Sequence, residues 1–143
     1  MMTANLFNST LQEISITYRN KMKFSEMPHA TSSQDVFDLL QNIWSDKIGH
    51  VEEFMVLCLN RGNRVLGWSL VGTGGLSGVV SDPKVIFQTA LKSNASSIIV
   101  AHNHPSGTLK PSDSDRKLTS KLLQAGQFLD ISVLDHLIIT PDD

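Results

Sequence analysis

The chain carries a single cysteine, Cys58, in 143 residues. One thiol cannot close a bridge within the chain, so a disulfide scaffold is excluded. Cys58 also lies inside the apolar run Phe54–Leu59, where a cysteine acts as a small hydrophobe. That run is the longest of its kind and falls far short of the roughly 18 residues that a membrane span needs. The opening MMTANLFNST has no basic stretch followed by an apolar core, so no signal peptide is expected. These absences point to a reducing, cytoplasmic setting with no membrane partner. An excess of positive charge is missing as well: 12 Lys and Arg stand against 14 Asp and Glu, a net charge of −2. A domain that holds a nucleic-acid backbone by charge is usually basic, so the bulk charge gives that function no support and leaves only a local patch. Internal repeats and low-complexity stretches are also lacking.

What is present suits one α/β domain, with 41% apolar and 18% charged residues. Residues 1–30 carry little pattern, apart from an alternation of Ile14, Ile16 and Tyr18 that predicts a short strand. The domain proper is read over 31–143. A helix is predicted from about Gln34 to Ile48, capped by Ser33 and stopped by Gly49. Its apolar face would be Val36, Phe37, Leu40, Ile43, Trp44 and Ile48. Glu53–Leu59 reads as a strand buried on both faces, and Arg61-Gly62-Asn63-Arg64 turns it into a second strand, Val65–Val71. Gly72-Thr73-Gly74-Gly75 reads as a loop; it lacks the Lys-Ser/Thr of a phosphate loop. Asp82 and Pro83 open another helix, with Val85, Ile86, Ala90 and Leu91 inward. A short strand, Ile98–Ala101, runs into His102-Asn103-His104-Pro105-Ser106-Gly107. The next helix starts near Ser112 and directs Leu118, Leu122, Leu123 and Ala125 to the core, and Ile131–Thr140 closes the chain as a strand. Strands alternating with helices, together with the hairpin, predict a mixed sheet flanked by helices.

The chemistry gathers where the third strand ends. His102 and His104 are two apart on an extended backbone, so both rings point the same way. Pro105 and Gly107 turn the chain, and Asp115 falls in the first turn of the following helix, from which it can close back on the strand end. Two imidazoles and a carboxylate are donors that zinc accepts, and a three-ligand site is the catalytic kind because it leaves a place for water. Each part has a plainer reading: a lone H-x-H is usually a loop feature, and Ser112-x-x-Asp115 is also a capping box. Their joint occurrence favours the metal, and Ser112 can cap the helix while still facing the site.

His102-Asn103-His104-Pro105, six further residues, Ser112, two more and Asp115 resemble the JAMM (MPN+/JAB) metalloprotease signature. The wider string from Ala101 to Gly107, then Pro111-Ser112-Asp113-Ser114-Asp115 and Leu134-Asp135-His136, is similar to the bacterial RadC-type branch of that family. The resemblance spans roughly residues 50–140. It implies the α/β/α sandwich of that family, which is cytidine-deaminase-like, with zinc on His102, His104 and Asp115. It implies that Ser112 stabilises the oxyanion and that an upstream glutamate moves the proton of the attacking water. Glu52 is the better match for that glutamate, two residues before Phe54, with the adjacent Glu53 as alternate. The implied activity is zinc-dependent hydrolysis of a peptide or isopeptide bond, with a peptide or protein substrate. Longer proteins of this type carry a helical N-terminal region of DNA-binding appearance, which residues 1–30 do not supply. They also continue beyond the last strand, so a shortened chain is the expectation.

His136, beside Asp135, reads first as a hydrogen-bonded structural histidine and second as a residue that orients a metal ligand. His29 and His50 have no assigned role, and Trp44 and Trp68 read as core or partly buried. Lys110, Arg116, Lys117 and Lys121 read as a solvated helix face. An accessory role in DNA repair or recombination, or a non-catalytic scaffold, stands as the alternative. A nucleobase deaminase is disfavoured, since it needs an H-x-E and a P-C-x-x-C that this chain lacks.

Overall fold

The computed structural model describes residues 11–74 and 81–143. Four strands, β1 (Glu53–Leu59), β2 (Val65–Thr73), β3 (Ser97–Asn103) and β4 (Ser132–Ile139), form one sheet in the order β2-β1-β3-β4. β1 is antiparallel to both β2 and β3, while β3 and β4 run parallel, so the sheet is mixed. Three helices flank it: α1 (Ser33–Ile43), α2 (Pro83–Lys92) and α3 (Asp113–Leu129). The parallel pair needs a crossover, and α3 is that crossover.

Alternation along the buried strands divides the core in two. Phe54, Val56 and Cys58 of β1, with Ile98 and Val100 of β3, pack against Ile86, Phe87 and Ala90 of α2 and Leu122 of α3. Leu57, Leu59, Ile99 and Ala101 point the other way, onto Val36 and Leu40 of α1. This is a sheet covered on both faces, the expected sandwich, and it explains why β1 is buried at every residue.

Several local expectations shift. Ser32, not Ser33, caps α1, its side chain accepting from the Asp35 N–H at 3.1 Å; Ser33 Oγ instead donates to Asp135 across the α1–β4 contact. α1 stops at Ile43, where Trp44 turns to an extended conformation, and Ile48 lies in a separate 3-10 turn, Asp46–Gly49. β2 continues through Gly72 and Thr73, which were expected in a loop, because β1 supplies them pairing partners in Phe54 and Glu53. Gly75 lies outside the described residues. Residues 14–18 form no strand: Ile14 and Ile16 are 88% and 77% exposed, and alternation without a neighbouring strand leaves the backbone unpaired. Val85, Leu91 and Leu123 face solvent rather than the core, and Trp68 is exposed; Phe87 takes the inward place in α2. Met27 and Ala30 are buried, so the stretch before residue 31 adds to the packing. No helix among the described residues is long and apolar enough to cross a membrane.

Candidate metal centre

β3 delivers His102 to the α2–α3 side of the sheet, since residue 102 follows the alternation of Ile98 and Val100. The ring is buried and lies parallel to that of its cross-strand partner Phe54, with centroids 5.7 Å apart. His104 follows just past the strand, its N–H held by the Ile139 carbonyl at 2.9 Å. The Gly107 N–H then donates back to the His104 carbonyl, closing a turn in which Gly107 adopts φ +89°, a conformation suited to glycine. That turn places the Thr108 carbonyl 2.9 Å from His104 Nδ1.

α3 brings the carboxylate. Ser112 caps the helix by accepting from the Asp115 N–H at 3.0 Å, and the Ser112 N–H donates to Asp115 Oδ2 at 2.8 Å. This reciprocal pair is the expected capping box, and it aims the Asp115 side chain back at β3. His102 Nε2 and His104 Nε2 lie 2.9 Å apart, and each is 3.3 Å from an oxygen of Asp115. Donors bound at about 2.0–2.1 Å in tetrahedral array are about 3.3 Å from one another, so this triangle fits one ion.

The protons fit too. A carbonyl only accepts, so His104 Nδ1 carries the hydrogen toward Thr108, and a neutral His104 offers a lone pair at Nε2. Burial holds His102 neutral: it pushes the imidazole down to about 4, against the opposing pull of Asp115. Burial would raise the Asp115 carboxyl, but the hydrogen bond from the Ser112 N–H opposes it and the group lies below its ordinary value. A neutral ring and an ionised carboxylate are the forms that bind metal. His102, His104 and Asp115 therefore make up a group able to hold a metal ion.

The other predicted residues divide. Glu53 begins β1 on the α1 side of the sheet, buried, and accepts from Ser45 Oγ at 2.5 Å. Its backbone N–H bonds Asn103, which faces the same way. The alternate glutamate thus points away from His102. Glu52 is half-buried and stands two residues before Phe54, on the side that alternation assigns to His102. Ser112 is exposed beside Asp115. His136, read first as a hydrogen-bonded structural histidine and second as a residue that orients a ligand, places its Nε2 2.8 Å from His102 Nδ1. Phe54 and the Thr108 carbonyl were not singled out from the sequence, because their roles exist only across strands and turns. Lys110, Lys117 and Lys121 are exposed, as expected of a solvated face.

A groove of about 740 Å³ opens beside the site, between α3 and β4. Asp115, Thr119 and His136 line its inner part, and Leu109, Leu123 and Leu134 give it an apolar wall.

A family model for the RadC-like JAB domain matches residues 30–143. This chain belongs to that family. It is 44% identical over 110 residues to a UPF0758 protein of Flavobacterium johnsoniae, covering 77% of this chain and 47% of that one. It is 41% identical over 111 residues to a UPF0758 protein of Chlorobaculum parvum, covering 78% and 49%. The chain thus spans about half the length of the curated relatives it matches. The four-stranded mixed sheet with its three helices is consistent with the JAB/MPN fold.

Proposed function

We propose that this RadC-like JAB domain is a zinc-dependent hydrolase that uses water to cleave a peptide or isopeptide amide bond. The observation that carries the reading is the convergence of His102, His104 and Asp115, three donors of the kind zinc accepts, beside an open groove. When bound there, zinc supplies Lewis acidity and lowers the pKa of water toward about 7. The remaining work belongs to side chains. Glu52 accepts a proton from the attacking water and returns it to the leaving amine. The Ser112 hydroxyl receives the Asp115 N–H at its oxygen, which leaves its own proton to donate to the developing oxyanion. The apolar wall of Leu109, Leu123 and Leu134 suits side chains of a peptide substrate rather than a free polar metabolite.

Elemental analysis of protein purified without a metal-binding tag tests the metal first. A zinc ion on each wild-type chain and none on the His102→Ala/His104→Ala double variant is the expected pair of results. Zinc-loaded protein would then be screened against peptides and isopeptide-linked conjugates. Glu52→Gln should keep its zinc while losing roughly 10²- to 10⁴-fold in turnover. No zinc in the wild type, even after incubation with the ion, would remove the hydrolase reading and turn attention to binding partners, DNA first.

A further inference from the structure

The protons behind His102 can be placed one by one. Thr119 Oγ1 lies 2.9 Å from the Asp115 carbonyl oxygen and 2.6 Å from His136 Nδ1. A hydroxyl has one proton to give, and the carbonyl can only accept it. Only donation to the carbonyl, with His136 Nδ1–H as the second donor, makes both contacts hydrogen bonds. The Thr119 proton therefore goes to the carbonyl, and His136 Nδ1–H donates to Thr119. A neutral His136 is left with a lone pair at Nε2, and that atom faces His102 Nδ1 at 2.8 Å. His102 must then carry its proton on Nδ1. Its Nε2 lone pair is directed at the point shared with His104 Nε2 and Asp115 Oδ1.

We propose that Thr119 and His136 are positioning residues that set the Nδ1–H tautomer and ring orientation of His102, and thereby the affinity of the site for zinc. The proposal rests on the metal reading above, but its chemistry belongs to the protein alone. Metal-bound histidines commonly donate their second nitrogen to a carboxylate or carbonyl, which can only accept. Here the acceptor is another imidazole, which accepts at Nε2 only while Nδ1 holds the proton. Thr119 supplies that condition. It sits one helical turn beyond Asp115, so the helix that provides the carboxylate also orients the opposite ligand.

Thr119→Val removes the hydroxyl at nearly constant shape, and Thr119→Ser restores it. Zinc affinity, measured by competition with a chelator of known strength, should fall roughly 10- to 100-fold in Thr119→Val and in His136→Ala. Thr119→Ser should bind as the wild type does. Thr119→Val binding zinc as tightly as the wild type would overturn the proposal. The ring tautomer gives a second readout, from a proton–nitrogen correlation spectrum of the histidines in metal-free protein. His102 protonated on Nδ1 in the wild type, and a tautomer mixture in Thr119→Val, is the expected result. If the wild type takes up no zinc, the metal reading fails by itself. The spectrum then decides the relay: His102 protonated on Nε2 would sink it.

Discussion

Asn103 stands between the two histidines and faces the opposite side of the sheet. It is fully buried, accepts from the Glu53 N–H and donates to the carbonyls of Ile48 and Val51. One side chain thereby satisfies three backbone groups at the junction of the 3-10 turn and β1. Leaving a buried backbone group unpaired costs about 1–3 kcal/mol. Asn103→Ala should thus lower stability to urea by about 2–4 kcal/mol, allowing water to replace part of the loss. Its zinc stoichiometry should match the wild type, because the lost bonds lie across the sheet from His102. The same alternation separates the two glutamates. Adjacent residues diverge along an extended backbone, and Glu53 goes to Ser45, on the side away from His102.

At the scale of elements, α3 and β4 pack closely where the helix end meets the strand. The Ile131 N–H donates to the Gly126 carbonyl, and a Cβ at position 126 would strike the Ile131 carbonyl oxygen. Alanine normally improves an internal helix position over glycine by about 1 kcal/mol. Here the obstacle is backbone, which cannot swing aside, and overpacking costs about 1–3 kcal/mol. Gly126→Ala should therefore destabilise the protein in a denaturant titration; a gain in stability would mean that helix and strand separate without cost. β4 also contains the irregularity that makes His136 useful. The register passes from Ile98↔Val133 to Ile99↔Asp135, so Leu134 is an extra residue. That bulge lets Val133 and His136 share the α3 face, while Asp135 turns to Ser33 of α1. Bulges near functional sites re-aim side chains in this way.

For the whole molecule, the metal reading has a thermodynamic consequence. The donors come from β3, from the turn after it and from α3, so an ion bound to all of them binds the folded chain only. Zinc at a hundred times its Kd should stabilise the fold by about 2.7 kcal/mol. For a domain of this size that corresponds to a rise in Tm of about 5–10 °C. His104→Ala should show no such rise in a thermal melt. A shift of the same size in the variant would place the zinc elsewhere.

Much of this was determined by the sequence alone. The apolar run of β1, the caps Asp82 and Ser112, and the H-x-H followed by Ser112 and Asp115 are short-range patterns, and each forms where it was expected. Short-range rules also placed both histidines on one side of the chain and Asp115 at a helix start. Tertiary structure decided the rest. An isolated alternation at residues 14–18 found no sheet to join, and β2 ran longer than expected because β1 offered it partners. The role of His136 depends on a one-residue bulge, a parallel neighbour and a hydroxyl on another element. Period-two patterns assume that no residue is inserted, so a single extra residue reverses every assignment beyond it. That is why the histidines of the motif could be read from the sequence, while the relay behind them could be read only from the fold.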